Sequence, residues 1–127
     1  MGLRFLKLAV IYLSAGTLLG LIMGMKENFV LAPVHAHMLL LGWASLALAG
    51  LIYHFYPAAA KTRLARWHFW LHNLALPAFL VGMGVLITGH IAALPVVVVS
   101  STCVVLSLAL FAANVLIHLK AEPGARP

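Results

Sequence analysis

The sequence predicts an all-α fold, an integral membrane four-helix bundle with both termini cytoplasmic. Three observations predict it. Hydrophobic residues make up 65% of the 127 residues and charged ones 8%, whereas a soluble domain carries about a quarter charged. The apolar residues fall into four blocks, each near the ~20 residues a helix needs to cross the hydrocarbon core. Seven of the eight Lys and Arg then lie on one side of the topology those blocks imply. A water-soluble globule is excluded, and so is disorder, which goes with charge-rich, apolar-poor chains. The net charge of +6 is spread between apolar blocks and offers no nucleic-acid surface. Cys103 is the one cysteine, so no intrachain disulfide is available.

The first span covers about residues 5–25, after Arg4 and Lys7, and ends at Lys26-Glu27-Asn28. Gly16, Gly20 and Gly24 recur every four residues in it, lining one face where a neighbouring backbone can come close. It therefore reads as a packing helix rather than a signal peptide, whose apolar run is shorter. The second span, about 34–56, lies between Pro33 and Pro57, because proline is tolerated at a helix start and stops a helix elsewhere. Lys61, Arg63 and Arg66 fill the link to the third span, about 67–90. A short turn at His90–Pro95 leads into the fourth, about 94–119, which is valine-rich but too long for a strand. Lys120 and Arg126 follow it. Short cytoplasmic loops carry excess Lys and Arg, so the basic side is inside and Lys26 alone is outside. Residues 1–127 form one transmembrane domain, expected in a bacterial inner membrane.

Histidine within a span is costly unless partnered, which makes each one a functional candidate. The topology sorts the seven. His35, His37 and His90 lie at the outer ends of spans two and three; His54, His68, His72 and His118 lie toward the inner side. At about 100° per residue, His35 and His37 point about 200° apart, so a regular helix cannot aim both at one metal centre. The second span is instead a wall with a site on either face. His72 and His90 fall on one face of span three, about 27 Å apart, with His68 one turn from His72. Gly42 lies two turns from His35 on its own face, and Ala44 and Ser45 two turns from His37. Those small positions leave room for a broad planar group. Pro77 frees the carbonyl of Asn73, an acceptor suited to orienting His72. His54, His68 and His118 stand beside interfacial Tyr, Trp or Lys, where a histidine needs no ligand role. Trp43, Trp67, Trp70, Tyr53 and Tyr56 read as packing or interfacial aromatics. Neutral imidazole is a good ligand for iron, copper or zinc.

The run His35-Ala36-His37-Met38-Leu39-Leu40-Leu41-Gly42-Trp43, continued by Gly50, Tyr53, His54 and Pro57, resembles the tenth helix of the catalytic subunit of heme-copper oxidases. It is nearest the C-type (cytochrome cbb) branch. Trp67-His68-Phe69-Trp70-Leu71 resembles the start of that subunit's next helix. The similarity covers about residues 33–89. It implies that His35 ligates a high-spin heme and His37 a low-spin heme, one on each helix face. The family's copper-holding histidines, and its other axial histidine for the low-spin heme, have no counterpart here. Complete oxygen reduction by this chain alone is therefore not expected.

The expected function is a heme b-binding membrane protein of the heme-copper oxidase lineage, working in electron transfer or heme-based sensing. Bis-histidine ligation gives such a centre six coordination. Its expected iron ligands are His35, His37 and His90, with His72 a further candidate and Gly42 lining the cofactor. His90 with His35 or His37 is the intrachain pair, which leaves the remaining histidine facing another copy in a homo-oligomer. Expected partners are membrane lipid, that second copy, and a redox partner protein or quinol. The inner histidines, with Lys61, Arg63 and Arg66 on the propionates, would hold a second heme. Two alternatives stand beside this: a copper- or zinc-binding transport or oxidase-assembly protein, and a structural subunit of a respiratory complex. Glu27 and Glu122 are both expected at the surface, which leaves no buried carboxylate for a proton pump.

Overall fold

The computed structural model describes residues 1–119; Lys120, Glu122 and Arg126 lie outside them. The described residues form helices and no strand. In chain order these are α1 (Gly2–Met25), α2 (Ala32–His37), a π-helical stretch (Met38–Ala44), α3 (Ser45–Phe55), α4 (Pro57–Ala60), α5 (Arg63–Ile87), a 3₁₀ turn (Ile91–Ala93) and α6 (Leu94–His118). They amount to four helices long and apolar enough to cross a membrane: Gly2–Met25, Ala32–Phe55, Arg63–Ile87 and Ile91–His118. Large apolar side chains cover the outside, Leu116 being 83% and Met25 77% exposed. That surface suits lipid and not water.

The helices begin before the apolar blocks do. Hydropathy marks the stretch that needs lipid, whereas a helix continues through its basic flank. α5 starts at Arg63 because the Thr62 hydroxyl oxygen accepts from Ala65 N at 3.0 Å, satisfying a first-turn donor. It ends at Ile87, short of the expected residue 90. Gly89 takes φ +99, and the Gly89 and His90 amides bond back to the carbonyls of Leu86 and Val85. This is a Schellman turn, in which a left-handed residue closes the helix. His90 therefore lies off the helix, and the common face expected for His72 and His90 does not exist. α1 closes the same way, with Glu27 at φ 49 where glycine is usual.

Consecutive spans pair into two hairpins, α1 with the second span and α5 with α6. Gly16 and Gly20 make the first hairpin close: Cβ atoms added there would fall 2.6 Å from the Leu39 side chain and 2.7 Å from the His35 ring. The glycine stripe thus packs within the chain, although Gly24 faces open space. Where the hairpins meet, two apolar clusters form. One, at the basic end, holds Phe5, Leu46, Ala49, Tyr53 and Phe69. The other, at the opposite end, holds Val34, Leu76, Phe79, Leu80 and Val104.

Candidate functional site

At the end away from the basic residues, the second span turns its two histidines apart. His35 faces α1, where its Nδ1 lies 2.8 Å from the Gly16 carbonyl and its ring rests on Gly20. His37 faces the other hairpin, its ring 5.3 Å from that of Phe79 and edge-on to it. The His37 Nδ1 lies 2.7 Å from the Pro33 carbonyl. A carbonyl only accepts, so both histidines donate through Nδ1–H and carry their lone pair on Nε2. His37 lines a crevice of about 210 Å³ with Leu41, Phe79, Ser101, Val104 and Leu108.

The other outer candidates are placed differently. His90 is exposed on the turn, its Nδ1 3.4 Å from the Thr88 hydroxyl. Gly42 is buried, and a Cβ there would sit 2.5 Å from the Tyr12 ring. The space expected over Gly42 for a planar group is thus filled by Tyr12, which the α1 packing brings across. Between His37 and Ser45 the backbone is π-helical, so side-chain directions extrapolated at a regular helical step do not hold through Ala44.

The inner histidines do not gather as a group. His54 is exposed, beside Phe55, and His118 bonds to the Asn114 carbonyl at 3.1 Å. His68 and His72 lie in the core, 1% and 0% exposed. The His68 ring is held between Phe5 and Phe111, each centroid 5.0 Å away. These two rings leave no room for a planar group against the His68 ring. His72 reaches the Ser107 hydroxyl with Nδ1 at 2.9 Å and the Leu41 carbonyl with Nε2 at 3.1 Å. The Asn73 carbonyl expected as its partner plays no part. Asn73 instead bonds Phe69 O through Nδ2, and its buried Oδ1 has no partner.

A directed row of hydrogen bonds leads to this pair. Asn114 points its amide nitrogen at the Ala59 carbonyl, 3.0 Å away, so its Oδ1 is left to accept from the Thr62 hydroxyl at 2.9 Å. Its second N–H donates to the Tyr53 hydroxyl at 3.3 Å. Tyr53, having accepted, donates to His68 Nδ1 at 3.2 Å. Asn114, Thr62, Tyr53 and His68 each find a partner in this row, as an apolar surround requires. Tyr53, Asn114, Ser107 and Thr62 were not singled out as a polar group from the sequence. The available signal was the presence of Asn114 and Ser107 in the middle of an apolar block.

No protein-family model, curated protein or solved structure matches the chain.

Proposed function

We propose that this is a heme b-binding membrane protein of the heme-copper oxidase lineage, acting in electron transfer or heme-based sensing, with His37 the residue that would hold the heme iron. The observation that carries the reading is the locked tautomer of His37. Donation of Nδ1–H to a backbone carbonyl fixes the ring and leaves Nε2 basic, the arrangement typical of metal-bound histidine. His35 has the same tautomer against Gly16, but its ring packs on Gly20 of α1 and Tyr12 fills the space over Gly42 on that face, so the reading rests on His37.

The donor set favours a porphyrin over a bare ion. Copper or zinc in a closed site asks for three or four protein ligands, and among the described residues no three His, Cys, Asp or Glu side chains meet. An axial position asks for one imidazole. The crevice beside His37 is smaller than the roughly 300–1,000 Å³ of a site that encloses its ligand. One side of a flat macrocycle would lie against it, held by His37, and a second copy of the chain would supply the remaining wall and a further ligand. Heme b, when bound, supplies a one-electron carrier; Phe79, Leu41 and Val104 exclude water from it, and His37 orients it.

The test is an optical titration of the purified full chain with hemin in detergent. Soret and α bands of six-coordinate b heme are expected at one heme per two chains, and His37→Ala should lose them. Full-strength bands in His37→Ala, or no bands in the parent protein, would overturn the reading; metal content without bands would favour the copper or zinc alternative.

A further inference from the structure

Among the described residues His72 is the most buried titratable side chain, and a ligand role for it is not required by the function proposed above. Its hydrogen-bond partners are compatible with two protonation states. Nε2–H donates to the Leu41 carbonyl whatever the charge, since that oxygen only accepts. Nδ1 faces the Ser107 hydroxyl at 2.9 Å, and the same hydroxyl lies 2.6 Å from the Val104 carbonyl. A hydroxyl has one hydrogen and two acceptor positions. With neutral His72, Ser107 donates to Nδ1. With a proton on Nδ1, that N–H donates to the Ser107 oxygen and the hydroxyl hydrogen turns to Val104. Every donor is satisfied in both states, and only one hydrogen rotates.

The two carbonyls that complete this arrangement belong to Leu41 and Val104, and both residues also line the His37 crevice. His72 therefore stands one residue behind the crevice wall. The titratable groups around it are few. From α5 there is His68, ring centroid 5.7 Å away and edge-on; beyond it, from α3, is Tyr53, which donates to His68. α1 contributes Tyr12, packed over Gly42, and α6 contributes Cys103. The second span brings His37 itself. Among the described residues no Asp, Glu, Lys or Arg is buried, so no counter-anion offsets a charge on His72 and its two hydrogen bonds alone hold the charged form against the cost of burial.

We propose that His72 and Ser107 form a proton-binding site inside the bundle, whose charge acts through the Leu41–Val104 wall on the occupant of the His37 crevice. The proton comes from the aqueous phase and binds the Nδ1 lone pair of neutral His72. No other bond forms or breaks. The site itself stands on its hydrogen bonds alone; its coupling to the crevice rests on the function proposed above.

The proton site is tested without heme. In the full-length protein labelled with ¹⁵N-histidine, His72 is expected to hold a proton on Nε2 throughout, and to gain one on Nδ1 on acidification to pH 4 with the fold intact. Ser107→Ala, which removes the acceptor of that N–H, should weaken proton binding at least tenfold and leave the helix content unchanged. An Nδ1 that stays unprotonated to pH 4, or a titration unaltered in Ser107→Ala, overturns the proposal. The coupling is tested in the heme-loaded protein. When one electron from the titrant and one proton from water arrive together, the midpoint potential falls by about 59 mV for each tenfold drop in proton concentration. In Ser107→Ala the range over which the potential follows pH should move to lower pH by about one unit or more, as a tenfold loss of proton affinity requires; the same range in both proteins overturns the coupling. Failure to bind heme would defeat the function proposed above and leave the NMR result to decide the proton site.

Discussion

The two ends of the bundle use histidine in opposite ways. At the basic end, His68 and His72 are swallowed by the core and both are held by side chains, Tyr53 and Ser107, from other helices, His72 also by the Leu41 carbonyl. At the other end, His35 and His37 are tied to backbone carbonyls through Nδ1, and His37 lines a crevice between the hairpins. The difference teaches that partner chemistry matters more than depth. A side chain that can rotate its hydrogen leaves the imidazole two protonation states. A carbonyl fixes one tautomer and leaves a lone pair for something outside the chain.

The largest effect should come from breaking the ligand-ready end. His37→Ala is expected to weaken heme binding by at least the roughly 10–100-fold that follows loss of a ligand's supporting bond. His68→Phe should bind heme as the parent does. Equal losses in a hemin titration would erase the contrast between the ends.

Next comes the packing that sets the angle of the second span. Gly42→Ala forces a Cβ into the Tyr12 ring, an overpacking that costs about 1–3 kcal/mol. Unfolding in mixed micelles should register that loss, and adding Tyr12→Ala should recover part of it. Gly24→Ala, which meets nothing, should unfold as the parent does.

Asn114→Ala tests the basic end. It removes three polar contacts, each worth roughly 0.6 kcal/mol on average between membrane helices. A loss of about 1–2 kcal/mol in the same assay is expected, with heme binding kept.

The smallest effect concerns the two turns at the opposite end. Glu27 sits at φ 49, which costs a residue with a Cβ about 1 kcal/mol relative to glycine. Glu27→Gly should stabilise the protein by up to that amount and Gly89→Ala should destabilise it by a similar one. The first is read as a small rise in the unfolding midpoint, the second as a fall.

Composition and block length alone determined that the chain is helical, that four helices are long enough to cross a membrane, and that turns fall near Lys26, Pro57 and His90. Those features are local, set by how much apolar surface each segment carries. The opposite aim of His35 and His37 was also legible, because the two residues precede the π-helical stretch. The role of His68 was not, since nothing in residues 67–71 says that Phe5 and Phe111 will close over it. Gly42 misled for a related reason. A missing side chain is a vacancy only until a neighbour fills it, and Tyr12 comes from a helix thirty residues away in the sequence. Tertiary structure alone decided which polar groups meet. A hydrogen bond between spans depends on rotation and height of two helices, and close packing of many side chains fixes both together.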